Sequence, residues 1–115
     1  MVNAQALPAR LTRRCEFLRL AARGKKIVKY GFVLQLDQGG QSDSVRVGYT
    51  ATKKIGNAVV RNRAKRRLRE AARLVLAERS MSGVELVLIA RRETGDMDFD
   101  RLKHNLARAL DEALL

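Results

Sequence analysis

Few side chains in this sequence have the type and spacing for bond-breaking chemistry. A reaction carried by protein groups needs a general acid and base, or carboxylates that hold metal ions. His104 is the single histidine, which excludes a histidine pair by count. It falls away from the apolar stripe of Phe99, Leu102 and Leu106 and reads as a surface residue. Asp96, Asp98 and Asp100 have the alternate spacing that opens a calcium loop. The sixth position, however, is Arg101 rather than Gly and the twelfth is Ala107 rather than Glu, so the triplet reads as a helix start, where carboxylates cap free N–H groups. Cys15 is the single cysteine; it forms no disulfide framework or paired-cysteine metal site and is expected to be a small, part-buried residue.

The positions with a functional pattern are cationic. The stretch KKIGNAVVRNRAKRRLRE, Lys53–Glu70, places eight Lys or Arg and one carboxylate in eighteen residues. On a helical wheel at about 100° per residue, Val60, Ala64, Leu68, Ala71 and Val75 share an arc of roughly 80°, a core-facing stripe. Asn62, Lys65, Arg66, Arg69 and Arg73 lie opposite, and Arg61, Arg63 and Arg67 lie on the flanks. A solvated helix face is normally laced with acid–base pairs four residues apart, but Glu70 is the only acid here, so these charges repel one another unless an external anion neutralises them. Phosphates suit that role, because the rigid Arg fork matches them bidentately.

The elements that must position this helix follow from the rest of the chain. Its 115 residues make one domain, long enough for a single modest core without disulfides or a structural metal. Lys and Arg number 24 against 12 Asp and Glu, a formal net charge of +12, which points to nucleic acid or an anionic membrane surface. Residues 1–30 hold eight cations and one acid, residues 53–73 nine and one, and residues 74–115 six and eight. The last third is therefore expected to be scaffold. No apolar run approaches the ~20 residues of a membrane span, and the start lacks the apolar block of a signal peptide, so the expected location is cytoplasmic. A membrane-surface role would also need apolar residues on the free side of the basic helix, where only Leu76 falls.

Six elements are expected. Residues 13–23 form a short helix with Gly24 as the stop. GFVLQLD (31–37) and SVRVGYTA (44–51) alternate as half-buried strands, with QGGQSDS between them as a hairpin loop. The basic helix runs from about Asn57 to Ala77. Val84–Ala90, apolar almost throughout, suits a central strand covered on both faces, and Phe99, Leu102, Leu106, Leu110 and Ala113 mark a closing amphipathic helix. The order α-β-β-α-β-α describes a single-domain α+β sandwich. Were the strands on either side of the basic helix to pair in parallel, the general rule would give a right-handed crossover. Whether residues 1–9 are ordered is left open.

A helix-turn-helix DNA reader needs a second helix nearby and polar residues at the reading helix's start; here AVV occupies that start and strands flank the helix. A sheet face beside a basic helix better suits single-stranded or structured RNA. Phe17 and Tyr30 are the stacking candidates. A structural RNA-binding protein with no enzyme attached fits the composition equally well.

The segment Arg46–Arg73, RVGYTATKKIGNAVVRNRAKRRLREAAR, closely resembles the RNR signature of the bacterial ribonuclease P protein subunit. The agreement extends over roughly residues 10–114 in the order of elements. The resemblance implies a protein partner of a catalytic RNA that removes the 5′ leader from precursor tRNA, with the chemistry carried by the RNA and no protein catalytic residues. It also implies a fold like domain 2 of ribosomal protein S5 with a left-handed βαβ crossover, against the general rule. Matched by position, Lys53, Lys54, Asn57, Arg61, Asn62, Arg63, Lys65, Arg66, Arg67 and Arg69 would contact RNA. Phe17, Val33 and Gln35 fall where the family's leader cleft is lined. Ala21 and Gln35 stand where members often carry aromatics, so leader stacking would either be weaker or rest on backbone contacts and on charges such as Arg14 and Lys29. Mg²⁺ would be held mainly by RNA phosphates rather than by the protein, and no obligate protein partner or membrane is expected.

Overall fold

The computed structural model describes residues 9–39 and 44–115. Along the chain these form β1 (Ala9–Arg10), α1 (Arg14–Arg23), β2 (Lys25–Lys29), β3 (Phe32–Asp37), β4 (Val45–Thr50), a 3-10 turn (Lys53–Ile55), α2 (Ala58–Ala77), β5 (Val84–Ala90) and α3 (Phe99–Ala113). The strands make one mixed sheet in the order β1-β4-β5-β3-β2. β5 runs parallel to β4 and antiparallel to β3, so α2 connects two adjacent parallel strands.

Strand alternation divides the side chains between two faces of unequal weight. On one face, Phe32, Leu34 and Leu36 of β3, Val47 of β4 and Leu86, Leu88 and Ala90 of β5 meet α2 and α3 in a core of nineteen buried apolar residues. On the other, Val87 meets only Leu11 and Leu20 as fully buried partners, with Phe17 and Ile89 at the margin. β5 contributes to both, which is why its sequence is an unbroken apolar run.

Leu20 is the one apolar residue that α1 buries, worth about 1.5–3 kcal/mol, so α1 is weakly held by packing, and charge completes its attachment. Glu85 of β5 is buried and pairs with Arg19 of α1 and, at 3.1 Å, with Arg46 of β4. Arg46 also reaches Glu16 of α1 at 2.6 Å. The other Glu16 oxygen accepts from the Arg13 and Thr12 N–H groups at 3.0 and 3.3 Å, closing the open end of α1.

Several sequence-based expectations change. The hairpin is not formed by the two predicted strands: β3 and β4 flank β5 on opposite sides and never pair. Residues 40–43 of the intervening loop lie outside the described residues, as do residues 1–8 of the N-terminal segment. The actual hairpin is β2–β3, closed by Tyr30–Gly31 between Lys29 and Phe32. β1 and β2 were not expected, because a two-residue strand has no period and KKIVK has too little apolar content. Val60 is 38% exposed rather than buried, since it precedes the part of α2 that lies over the sheet. Cys15 is exposed rather than part-buried, on the side of α1 away from Leu20.

The Glu16 attachment has a defined pH dependence. The Arg13 N–H holds its carboxyl below the ordinary 4.5, with partial burial opposing and Arg46 and the Thr12 N–H assisting. A depressed carboxylate adds stability that is fully present above the unfolded value and is lost as pH falls through the folded one. In urea unfolding, the stability difference between the natural chain and Glu16→Gln is therefore expected to be largest above about pH 5 and to shrink toward pH 3. A difference independent of pH would show that the Glu16 charge contributes nothing.

Candidate nucleic-acid interface

The cationic stretch begins on a turn. After β4 the chain makes the 3-10 turn Lys53–Ile55 and reaches Gly56 at φ 150°, a conformation open to glycine. A Cβ at Gly56 would also stand 2.8 Å from Val60. Asn57 then caps α2, its Oδ1 accepting from the Val60 N–H at 3.0 Å. Lys53 and Lys54 are exposed beside the positive end of the α2 dipole, and the first turn of α2 holds no acid.

Along α2 the buried stripe is Ala64, Leu68, Ala71, Ala72 and Val75. On one flank, the Arg63 Nε–H donates to the Gly95 carbonyl at 2.8 Å, and the Arg67 guanidinium donates to the Met97 carbonyl while lying 5.7 Å from the Phe99 ring centre. On the other flank Arg69 approaches Tyr49. Burial pushes the Tyr49 hydroxyl up to about 12, against the pull of Arg69 and Arg10. The outward arc holds Asn62 and Arg66, both exposed, and Arg73, which is bonded to Glu70.

Among the described residues, no carboxylate lies within ion-pair distance of Lys53, Lys54, Arg61, Arg63, Lys65, Arg66, Arg67 or Arg69; the ion pairs of the fold lie elsewhere. The Nε–H groups of Arg61, Arg67 and Arg69 are covered yet have no protein acceptor. The stems of these three arginines thus lie along the helix flanks, and their guanidinium groups keep unused donor capacity.

The second predicted cluster divides between the two sheet faces. The register aligns Lys26, Gln35, Val87 and Gly48 across the sheet, with Val28, Val33, Ile89 and Thr50 in the next row. This is the face approached by α1, and Phe17 lies so close over it that a Cβ at Gly48 would stand 2.6 Å from its ring. Phe17, Val33 and Gln35 therefore share a face, with Arg14 exposed in the first turn of α1. Lys29 does not join them. It aligns with Phe32 and Ala90 on the opposite face and pairs with Glu112 of α3. The exposed cation that β2 places on the face approached by α1 is instead Lys26.

Two basic residues escaped the sequence reading: Lys26, because β2 was not recognised, and Arg10, 5.9 Å from the Tyr49 ring centre, because its neighbour belongs to another strand. The predicted capping role of the acidic triplet holds for Asp98, which accepts from the Arg101 N–H at 3.0 Å. His104 is exposed.

By fold and charge this is a small α+β protein with a surface complementary to a polyanion. The chain belongs to the ribonuclease P protein family: the family model described as Ribonuclease P matches residues 7–114. It is 51% identical over 104 residues to the ribonuclease P protein component of Gluconacetobacter diazotrophicus, covering 90% of each chain. It is 43% identical to that of Paramagnetospirillum magneticum, covering 88% of this chain and 79% of the other. Among solved structures, the ribonuclease P protein of Thermotoga maritima superposes with a TM-score of 0.76 at 28% identity, covering 90% of this chain and 96% of that one. The Staphylococcus aureus protein gives 0.76 at 28%, covering 90% and 94%.

The loop contacts of α2 tie Arg63 and Arg67, which lie on the flanks of the apolar stripe, into the fold. Removing both relieves like-charge repulsion but loses two hydrogen bonds to main-chain carbonyls, each worth about 0.5–1.5 kcal/mol, and the second effect is the larger. Arg63→Ala with Arg67→Ala is expected to lower unfolding stability by about 1–2 kcal/mol in urea titration; a double variant as stable as the natural chain would show that these bonds do not persist in solution.

Proposed function

We propose that this chain is the protein component of a ribonuclease P, binding the catalytic RNA through α2 and the single-stranded 5′ leader of precursor tRNA in the cleft between α1 and the sheet. The observation that carries the reading is the set of eight cations from Lys53 to Arg69 without a carboxylate partner among the described residues, in a chain of this family.

Each part has a physical role. Lys53, Lys54, Arg61, Lys65, Arg66 and Arg69 neutralise RNA phosphates and release counterions. Asn57 acts first as the cap of α2, and its amide donors remain open to RNA. Asn62 adds an uncharged donor. Across the sheet, Phe17 offers a ring and Gln35 an amide about two strand spacings apart, roughly 10 Å, with Arg14 and Lys26 as flanking charges.

The cleavage chemistry belongs to the RNA on this reading. The lone exposed His104 has no second histidine to work with, and Glu16, Glu85 and Asp98 are committed to ion pairs or helix capping. Mg²⁺ would be held by RNA phosphates, and the protein's charge lowers the repulsion that opposes bringing two RNAs and the ion together. Among the described residues no helix is long and apolar enough to cross a membrane. A structural RNA-binding role is the competing reading.

Multiple-turnover cleavage of a leader-bearing precursor at low Mg²⁺ separates them. Cleavage at the mature 5′ end is expected only when bacterial ribonuclease P RNA and this protein are both present; no enhancement with RNA binding intact would favour the structural role. Lys65→Ala with Arg66→Ala should weaken assembly with the catalytic RNA and reduce the logarithmic salt slope by about two, with unfolding stability not lowered, since Lys65 takes part in two like-charge pairs on α2. An unaltered slope would remove the α2 assignment. Phe17→Ala should raise KM for precursor more than it weakens binding of mature tRNA; equal effects would make Phe17 only a packing residue.

A further inference from the structure

Tyr30 is 50% exposed, the most open aromatic residue of the described chain, and neither surface above uses it. Its position is nevertheless fixed. The Asn105 amide of α3 donates to the Tyr30 carbonyl at 3.0 Å, and the N–H of the next residue, Gly31, donates to Glu93 at 3.1 Å. The Thr94 hydroxyl donates to the Gly31 carbonyl. Three side chains from α3 and the loop before it thus hold a two-residue hairpin turn. The Arg101 guanidinium lies 4.6 Å from the Tyr30 ring centre, and among the described residues Arg101 has no carboxylate partner.

A ring with a cation on one face and solvent around the rest is complementary to a ligand that has both a flat π surface and an anion. A carboxylate would use Arg101 and leave the ring idle; an apolar side chain would use the ring and leave Arg101 desolvated. A nucleotide uses both, stacking its base on the ring and placing its phosphate at the guanidinium.

We propose that Tyr30 and Arg101 form a stacking site for an unpaired nucleotide of the 5′ leader, upstream of those held in the α1 cleft. The proposal rests on the RNA-binding reading above. The leader is the source because Tyr30 directly follows β2, whose exposed Lys26 and Val28 continue the cleft face beyond Gln35 and Val33. A strand crossing from Phe17 over β5, β3 and β2 covers about 15 Å, three strand spacings, and reaches the turn only after running on about 13 Å along β2 from the Lys26 row. Only leaders long enough to span that distance would reach Tyr30.

The chain has two tyrosines and no tryptophan, so 3-fluorotyrosine labelling gives two fluorine resonances, assigned with Tyr30→Phe. Titration with a single-stranded oligoribonucleotide is expected to shift the Tyr30 signal and leave Tyr49 in place. Tyr30→Ala should weaken binding of that oligonucleotide roughly 5- to 100-fold, the effect of one lost base stack, and Tyr30→Phe should restore it. In the reconstituted enzyme, Tyr30→Ala should raise KM for a long-leader precursor and leave a short-leader precursor unchanged. An unmoved Tyr30 signal at saturation would overturn the proposal while leaving the RNA-binding reading intact, and absence of any RNA binding would remove both. A Tyr30 signal that responds to the catalytic RNA alone would overturn the leader as its occupant.

Discussion

The narrow apolar stripe of α2 is the constraint on which the rest of the molecule depends. The helix carries four like-charge pairs at a spacing of four residues, Arg61/Lys65, Arg63/Arg67, Lys65/Arg69 and Arg69/Arg73, which together oppose helix formation by about 1–2 kcal/mol. Burial of Leu68 alone contributes about 1.5–3 kcal/mol, and Ala64, Ala71, Ala72 and Val75 are buried beside it. Packing therefore outweighs repulsion, so the charges need no carboxylates of their own and remain free for an external anion. The small size of three of these residues matters as well. Alanines let the helix approach the sheet closely, and the long stems of Arg61, Arg67 and Arg69 then fall along its flanks with their Nε–H groups covered.

How far the sequence revealed this fold depended on whether the deciding interaction was local. α2, α3 and β5 were legible because a helical or unbroken apolar pattern reflects the element's own burial. The strand pairing was not. Sequence neighbours usually pair, and a Gly-rich stretch between two alternating segments resembles a hairpin loop. Here β5, 39 residues along the chain from its β4 partners and 48 to 58 from its β3 partners, supplies both β3 and β4 with a buried partner, and its two apolar faces decide the pairing. β2 was illegible for a related reason. As an edge strand it needs only Ile27 toward the core, so three lysines are tolerated within five residues.

The candidate site shows the same boundary. The cationic arc of α2 could be drawn from helical periodicity, but which flank meets which neighbour could not. Arg63 and Arg67 face the loop before α3, whereas Arg69 faces Tyr49 at the β1–β4 edge, and only tertiary packing distinguishes them. Lys29 was assigned to the cleft on charge and proximity in sequence. A strand reverses face with each residue, so Lys26 and Val28 point to the cleft face while Lys29 points to Glu112.

The two faces of the sheet differ in what holds them together, and that difference extends to function. α2 and α3 are fixed by a large apolar core that neither salt nor moderate pH weakens appreciably. α1 buries only Leu20 among its apolar residues, against Leu11 and Val87, and relies on Glu16, Arg46, Glu85 and Arg19, of which Arg19 is 43% exposed at its side chain and so open to screening. On the proposed reading, the surface for the catalytic RNA is rigid and the wall of the leader cleft is the compliant element. Such a division suits the two ligands: the catalytic RNA presents one constant surface, whereas leaders differ among precursors and are better accommodated by a helix whose attachment yields.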